Sequence, residues 1–251
     1  EQELFIRNVG PEGEFYTLHS LWREAFLQRL SAISPDRVAR LHSRAAAYYA
    51  QNGAPEAAIQ HLLASDKPSS AAPLMEQTVS PVVESGQIHM LLHWLSQLPD
   101  SALKQYPILS AYYAWALLLN ERYDEATARL ASTEQLSPLP PAVSGMLNAI
   151  RATMATRAGS EEPAVKYASA ALDLLPDDML SWRSRAAFHL GTGHLYNGNL
   201  FAAGQALSTA VQISLISRST PTALLALHTL ATVQQMQGNL RWAAQSHRQA
   251  L

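Results

Sequence analysis

The stretch FHLGTGHLYNGNLFAAGQAL, residues 188–207, holds four glycines: Gly191, Gly193, Gly198 and Gly204. A phosphate-cradling loop needs a strand before it and a Gly-Lys-Ser/Thr or dinucleotide fingerprint within it. Here RSRAAFHL (183–190) precedes Gly191 and reads as helix, and no Lys-Ser or Lys-Thr follows. The glycines therefore have a structural task, and self-similarity along the chain says which. GNLFAA at 198–203 returns as GNLRWAA at 238–244, as GSEEPA at 159–164 and as GAPEAA at 53–58. ERYDEA at 121–126 keeps the scheme with Glu121 in place of glycine, and GQIHML at 86–91 is a looser copy. Each has a turn residue followed five positions later by a small or apolar one.

Those later residues are Ala58, Leu91, Ala126, Ala164, Ala203 and Ala243, spaced by 33, 35, 38, 39 and 40. About twelve residues before each lies a second anchor: Ala46, Val79, Ala114, Ala152, Gly191 and Ala231. A small residue in a first helix, a glycine-type turn and a small residue in a second helix describe a tight helical hairpin. Gly191 is then a close-contact point of a pair. Gly198 is its turn, where glycine takes φ > 0 without steric cost.

The series resembles the tetratricopeptide repeat, which has Leu-Gly in the first helix, Gly-x-Tyr at the turn, Ala in the second helix and Pro at the end. Leu190-Gly191, Tyr123, the alanines at 126, 164, 203 and 243, and Pro138 and Pro176 supply these features, although no single unit has them all. The resemblance implies an all-α fold, a right-handed superhelix of helical hairpins. Helices are expected at 37–52, 55–65, 69–84, 87–97, 101–120, 123–136, 140–158, 161–175, 178–197, 200–217, 220–237 and 240–251. That is about six pairs, and the absence of a polar capping element suggests an array truncated at the C-terminus. Residues 1–36 do not repeat. FYTLHS (15–20) has strand character, LWREAFLQRL (21–30) is amphipathic, and Asp36 is a candidate N-cap after the SPD break.

Composition agrees with close helix packing. The 251 residues are 48% hydrophobic and only 15% charged, with a net charge of −2. No Lys/Arg run offers an electrostatic hold on nucleic acid. The absence of cysteine excludes disulfides and thiolate chemistry. AYYAWALLL (111–119) is far short of the ~20 residues that span a bilayer. A cytoplasmic protein that contacts no membrane and no nucleic acid directly is the expectation.

The order of segments narrows the family. Tyr16 to Leu27, His42 to His61, Trp94 to Pro99, Pro107 to Leu109 and Ala114 to Leu117 resemble, in this order, landmarks of the large MalT-like LuxR-family transcription activators. Trp22 stands where that family usually has Phe. The specific likeness covers roughly 15–130, and the rest is generic repeat. The resemblance implies that 1–36 close a winged-helix module and that 37–251 form a sensor superhelix. ATP would be bound elsewhere in the full-length protein and no cofactor in this piece. Other modules of the same chain would be partners, as would a second copy on self-association.

No catalytic set converges. SALK (101–104) lacks the companions of an S-x-x-K nucleophile site, and His89 with His93 lack a third metal ligand. The aromatics Tyr48, Tyr49, Tyr112, Tyr113 and Trp115 read as inter-helix packing. The chain is not expected to be an enzyme, and no metal is expected. First helices of such pairs line the groove, and counting from each turn selects Thr153, Thr156 and Arg157, then Arg185, Phe188, His189, Thr192 and Tyr196, then His228, Thr232 and Gln235. These are the candidate ligand-binding residues, weighed against an ordinary solvated helix face. The expected function is sensing of a small-molecule inducer in the groove, coupled to activation of the full-length protein. The alternative is a scaffold for a peptide or protein partner.

Overall fold

A computed structural model describes residues 6–9 and 15–250. It divides into two compact units, one up to Thr78 together with Gln97–Pro99, the other comprising Val79–Ser96 and residues from Asp100 onward.

In the first unit β1 (Ile6–Val9) pairs antiparallel with β2 (Phe15–Leu18), Ile6 opposite Leu18. The strand character of residues 15–18 is thus realised. Helix α1 (Ser20–Ile33) buries none of its residues, and Leu21, Trp22 and Phe26 are exposed. Helix α2 (Pro35–Gln51) follows at once. Ser34, not Asp36, is its N-cap residue. Pro35 takes the first helical position, where its missing N–H is no loss, and Asp36 sits in the first turn, where the helix dipole favours a carboxylate. Helix α3 (Pro55–Leu63) and a 3₁₀ turn at Pro68–Ala71 complete this part.

The second unit begins with the last turns of α4 (Ala72–Glu84), followed by α5 (Ile88–Ser96) and α6 (Asp100–Gln105). Four hairpins follow: α7 (Pro107–Leu119) with α8 (Tyr123–Glu134), α9 (Pro141–Arg157) with α10 (Glu161–Leu174), α11 (Leu180–Tyr196) with α12 (Leu200–Ile216), and α13 (Thr220–Met236) with α14 (Leu240–Gln249). The single helix expected over 101–120 is broken. Pro107 crowds the residue before it, and Tyr106 leaves the helical region with φ −120° and ψ 73°.

First helices stack on first helices, α7 on α9, α9 on α11 and α11 on α13, to form an all-helical TPR-like superhelix. The period read from the sequence is the core: all twelve anchor positions, from Ala46 to Ala243, are buried. At Gly191 a Cβ would lie 2.6 Å from Leu207 Cγ on the partner helix, so that position is a close contact of the pair. Gly198 has φ +76°, and Glu121, standing where other units have glycine, is forced to φ 60°. An L-residue in this conformation is strained by ~1–2 kcal/mol, partly offset on replacement by the greater freedom of an unfolded glycine. Glu121→Gly is therefore expected to stabilise the chain by about 0.5 kcal/mol, read as a rise in the urea midpoint; a fall would contradict the strain.

Candidate ligand site

Solenoid repeats touch their neighbours in sequence. The second unit departs from this rule. On α7, Tyr112 and Trp115 are three residues apart and share a face; on α11, Trp182 and Arg185 do the same. Although α9 lies between these helices in the stack, their long side chains meet. The Trp182 ring centroid is 5.5 Å from those of both Tyr112 and Trp115, tilted edge-on at 65° and 64°. Trp182 Nε1 donates to the Tyr112 hydroxyl at 3.3 Å. The Arg185 guanidinium lies over the Trp115 ring at 4.7 Å and near the Trp182 ring at 5.4 Å. From the end of α4, Glu84 joins the same cluster by accepting from Ser181 Oγ at 3.2 Å.

Arg185 as a residue is half-buried, yet its Nη1 is closed off from solvent and has no hydrogen-bond partner. Desolvation pulls its pKa down to about 10, against the attraction of Tyr112 and Glu84, so the guanidinium remains charged at neutral pH. One turn on, His189 is buried among Thr153, Thr156 and Phe188. Its Nε2 is 2.9 Å from Thr153 Oγ1 and its Nδ1 is 3.1 Å from Thr156 Oγ1. Both hydroxyls also donate to helix carbonyls, Ala149 O and Ala152 O. Two accepting hydroxyls would suit an imidazolium. Burial, with the charges of Arg157 and Arg185, outweighs them and holds the ring's pKa down at about 3. One threonine must then turn its hydrogen to the bare ring nitrogen.

The neutral ring has a consequence for acid stability. Its folded value of about 3 lies below the ordinary 6.5. The stabilisation is fully present above pH 6.5 and is lost as pH falls towards 3, because the unfolded chain takes up a proton that the folded chain refuses. At pH 5 this one group removes about 2 kcal/mol. His61, in the first unit, is also lowered by burial and by His42, and adds in the same direction. His189→Gln, which keeps a donor and an acceptor for the two threonines, should lose its share of the fall in melting temperature between pH 7 and pH 5. An unchanged fall would show that His189 titrates normally.

The eleven groove candidates thus separate. Arg185 joins the aromatic cluster, Thr153 and Thr156 bracket His189 one turn on, and Phe188 stands T-shaped to His189 at 5.0 Å. Arg157 reaches back to the preceding turn, its Nη1 3.5 Å from both Leu118 O and Tyr123 Oη, at the outer limit of hydrogen bonding. Thr192 is buried and spends its hydroxyl on Phe188 O. Tyr196 is exposed. On α13, Thr232 bonds to His228 O within its own helix and Gln235 is exposed. His228 turns towards its partner helix, its ring centroid 5.7 Å from that of His247. The counting rule located the face but not the depth of each residue. It also passed over Trp182, Glu84 and Ser181, and left Tyr112 and Trp115 as packing. The i, i+3 pairs Tyr112/Trp115 and Trp182/Arg185 were the available signal.

Two open clefts lie elsewhere in this unit. One of about 640 Å³ is bounded by α6, α7 and α8, and another of about 480 Å³ is lined by Tyr123, Arg151, Arg157 and Tyr167. Their charged groups are largely paired already: Arg129 with Asp100 at 3.0 Å, Arg122 with Glu125 at 2.6 Å, and Arg151 with Glu134. Among the described residues no group of three or more His, Asp or Glu is gathered as a metal would require, and no helix is long and apolar enough to cross a membrane.

Comparison with known proteins bears on this geometry. The family model described as the MalT-like TPR region matches residues 145 to 251. Residues 145–251 are a MalT-like TPR region. The HTH-type transcriptional regulator MalT of Yersinia enterocolitica is 29% identical over 201 residues, 78% of this chain and 22% of that protein. The serine/threonine-protein kinase PknK of Mycobacterium tuberculosis, and that of Mycobacterium bovis, are 32% identical over 127 residues, 51% of this chain and 11% of theirs. The chain thus spans about a fifth of the MalT relative and about a tenth of the kinases. The specific likeness read over 15–130 is complemented by a family match on its far side, over the repeats taken as generic. The MalT-like TPR region contributes Trp182, Arg185 and His189 to the cluster, while Tyr112 and Trp115 come from before it.

Proposed function

We propose that the chain is the signal-sensing part of a MalT-like transcription activator and binds a small-molecule inducer in the groove of its second unit. The observation that carries this reading is the α4–α7–α11 cluster. It joins helices that a nearest-neighbour stack would keep apart and leaves a buried cation with an unused donor. An inducer that prefers one arrangement of these helices would shift the chain towards it and so alter its fit to the rest of the protein. The likeness to MalT supports a regulatory role, and the partners are the inducer and other modules of the same protein. ATP binding and DNA binding are assigned to those other modules, catalysis to none of this chain, and the setting is the cytoplasm. The short match to a kinase is compatible with this, since a regulatory repeat serves different effector modules.

A second reading, a scaffold for a peptide or protein partner, draws on the exposed Phe201, Leu215, Ile216, Leu240 and Trp242 of α12 and α14. Native mass spectrometry of the chain against the small-molecule fraction of a cell extract and a peptide library decides between them. The sensor reading expects a retained small molecule that is lost on Trp115→Ala. A retained peptide with no small molecule would overturn it.

A further inference from the structure

Among the described residues of the second unit, three buried side-chain donors have no hydrogen-bond partner: Trp94 Nε1, Trp115 Nε1 and Arg185 Nη1. The latter two belong to one cluster, and one of them carries a charge. The indole faces attract the guanidinium electrostatically but accept none of its N–H groups in the plane of the fork. A cation–π contact therefore leaves the edge of the guanidinium free for a planar, bidentate acceptor. Glu84 is the carboxylate that acts on Arg185 electrostatically, yet its Oε1 is held by Ser181 Oγ at 3.2 Å and Ser80 Oγ at 3.3 Å rather than by Nη1.

We propose that Arg185 and Trp115 form the seat for the carboxylate of a small organic acid. The inference rests on the sensor reading above and names the ligand class. A single negative charge matches the one desolvated cation. A hydroxyl or amide would satisfy the donors and leave the guanidinium without a counter-charge. A phosphate dianion would bring a second charge up against the indoles, where desolvation without a partner is unfavourable. Glu84, whose charge already acts on Arg185, is the internal competitor that the ligand displaces electrostatically.

The test titrates the 251-residue chain at pH 7 with phenylacetate and hexanoate, with their neutral twins phenylacetamide and hexanamide, and with inorganic phosphate. Tryptophan fluorescence and calorimetry are read. The acids are expected to bind at least ten-fold more tightly than their amides. Arg185→Met removes the preference, Arg185→Lys keeps part of it, and Glu84→Gln, an exposed site that leaves the core intact, tightens acid binding about two- to five-fold. Equal affinity for acids and amides, a preference unchanged in Arg185→Met, binding of phosphate in place of the acids, or no binding of any acid each overturns the inference. The sensor reading is judged separately: a neutral small molecule retained in the native mass spectrum keeps that reading while this inference falls.

Discussion

Trp182→Ala is expected to destabilise the chain by about 3–5 kcal/mol, the range for deleting a large buried aromatic. The indole is 3% exposed, packs on Tyr112 and Trp115, and donates to the Tyr112 hydroxyl. Opening the site would let water reach Arg185 Nη1, which relieves one unsatisfied donor and places the loss at the lower end. Trp182→Phe keeps most of the apolar area but loses the hydrogen bond, at a cost of about 1 kcal/mol. The more telling readout is where the loss appears. In a stack of nearest neighbours, damage in α11 spreads to α9, α10, α12 and α13. Here hydrogen exchange should also quicken in α7, seventy residues earlier in the chain. Unchanged protection of α7 would show that the cross-stack contact stabilises nothing.

The second large effect is a matched pair of glycine substitutions in the stretch 188–207. Gly191→Ala places a methyl 2.6 Å from Leu207 Cγ and 3.1 Å from Leu207 N. A side chain can yield, but the backbone nitrogen cannot without separating α11 from α12. Overpacking of this kind costs about 1–3 kcal/mol, and it exceeds the ~1 kcal/mol that alanine gains over glycine within a helix. A net loss of about 1 kcal/mol is the expected result in urea unfolding. Gly204→Ala meets only Val233 Cγ1 at 3.8 Å and Gln237 Nε2 at 3.9 Å, which is ordinary contact. It should gain about 0.5–1 kcal/mol from helix propensity alone. Equal signs for the two variants would refute the close approach of α11 and α12.

The hairpin architecture was legible because close packing constrains residue size at fixed intervals. Ala126, Ala164, Ala203 and Ala243 recur where second helices touch first ones, and on the first helix Gly191 stands where a Cβ would collide with Leu207. Even Glu121 was readable as a turn residue out of type, and it has the left-handed backbone that the position requires. Local boundaries were less so. Tyr106 breaks a helix because of the proline after it, and Ser34 rather than Asp36 caps α2; both turn on single backbone angles that periodicity does not sense. The candidate site was legible in part. Counting from the turns found Arg185, His189 and Thr153, since they share a helix face. It could not find their partners. Tyr112 and Trp182 lie on first helices of pairs that are not consecutive, and their meeting depends on the pitch of the stack. The same limit explains why His189, read as an open-face group, is a buried neutral ring.

Ligand binding at the cluster where α4, α7 and α11 converge is open to a direct test. The most direct measurement is hydrogen exchange by mass spectrometry of the chain with and without the small molecule that it retains. Slowed exchange is expected in two separated stretches, around Tyr112–Trp115 and around Trp182–His189, with neither change seen in Arg185→Met. Slowing confined to α12–α14, or present equally in Arg185→Met, would place the ligand elsewhere and contradict it.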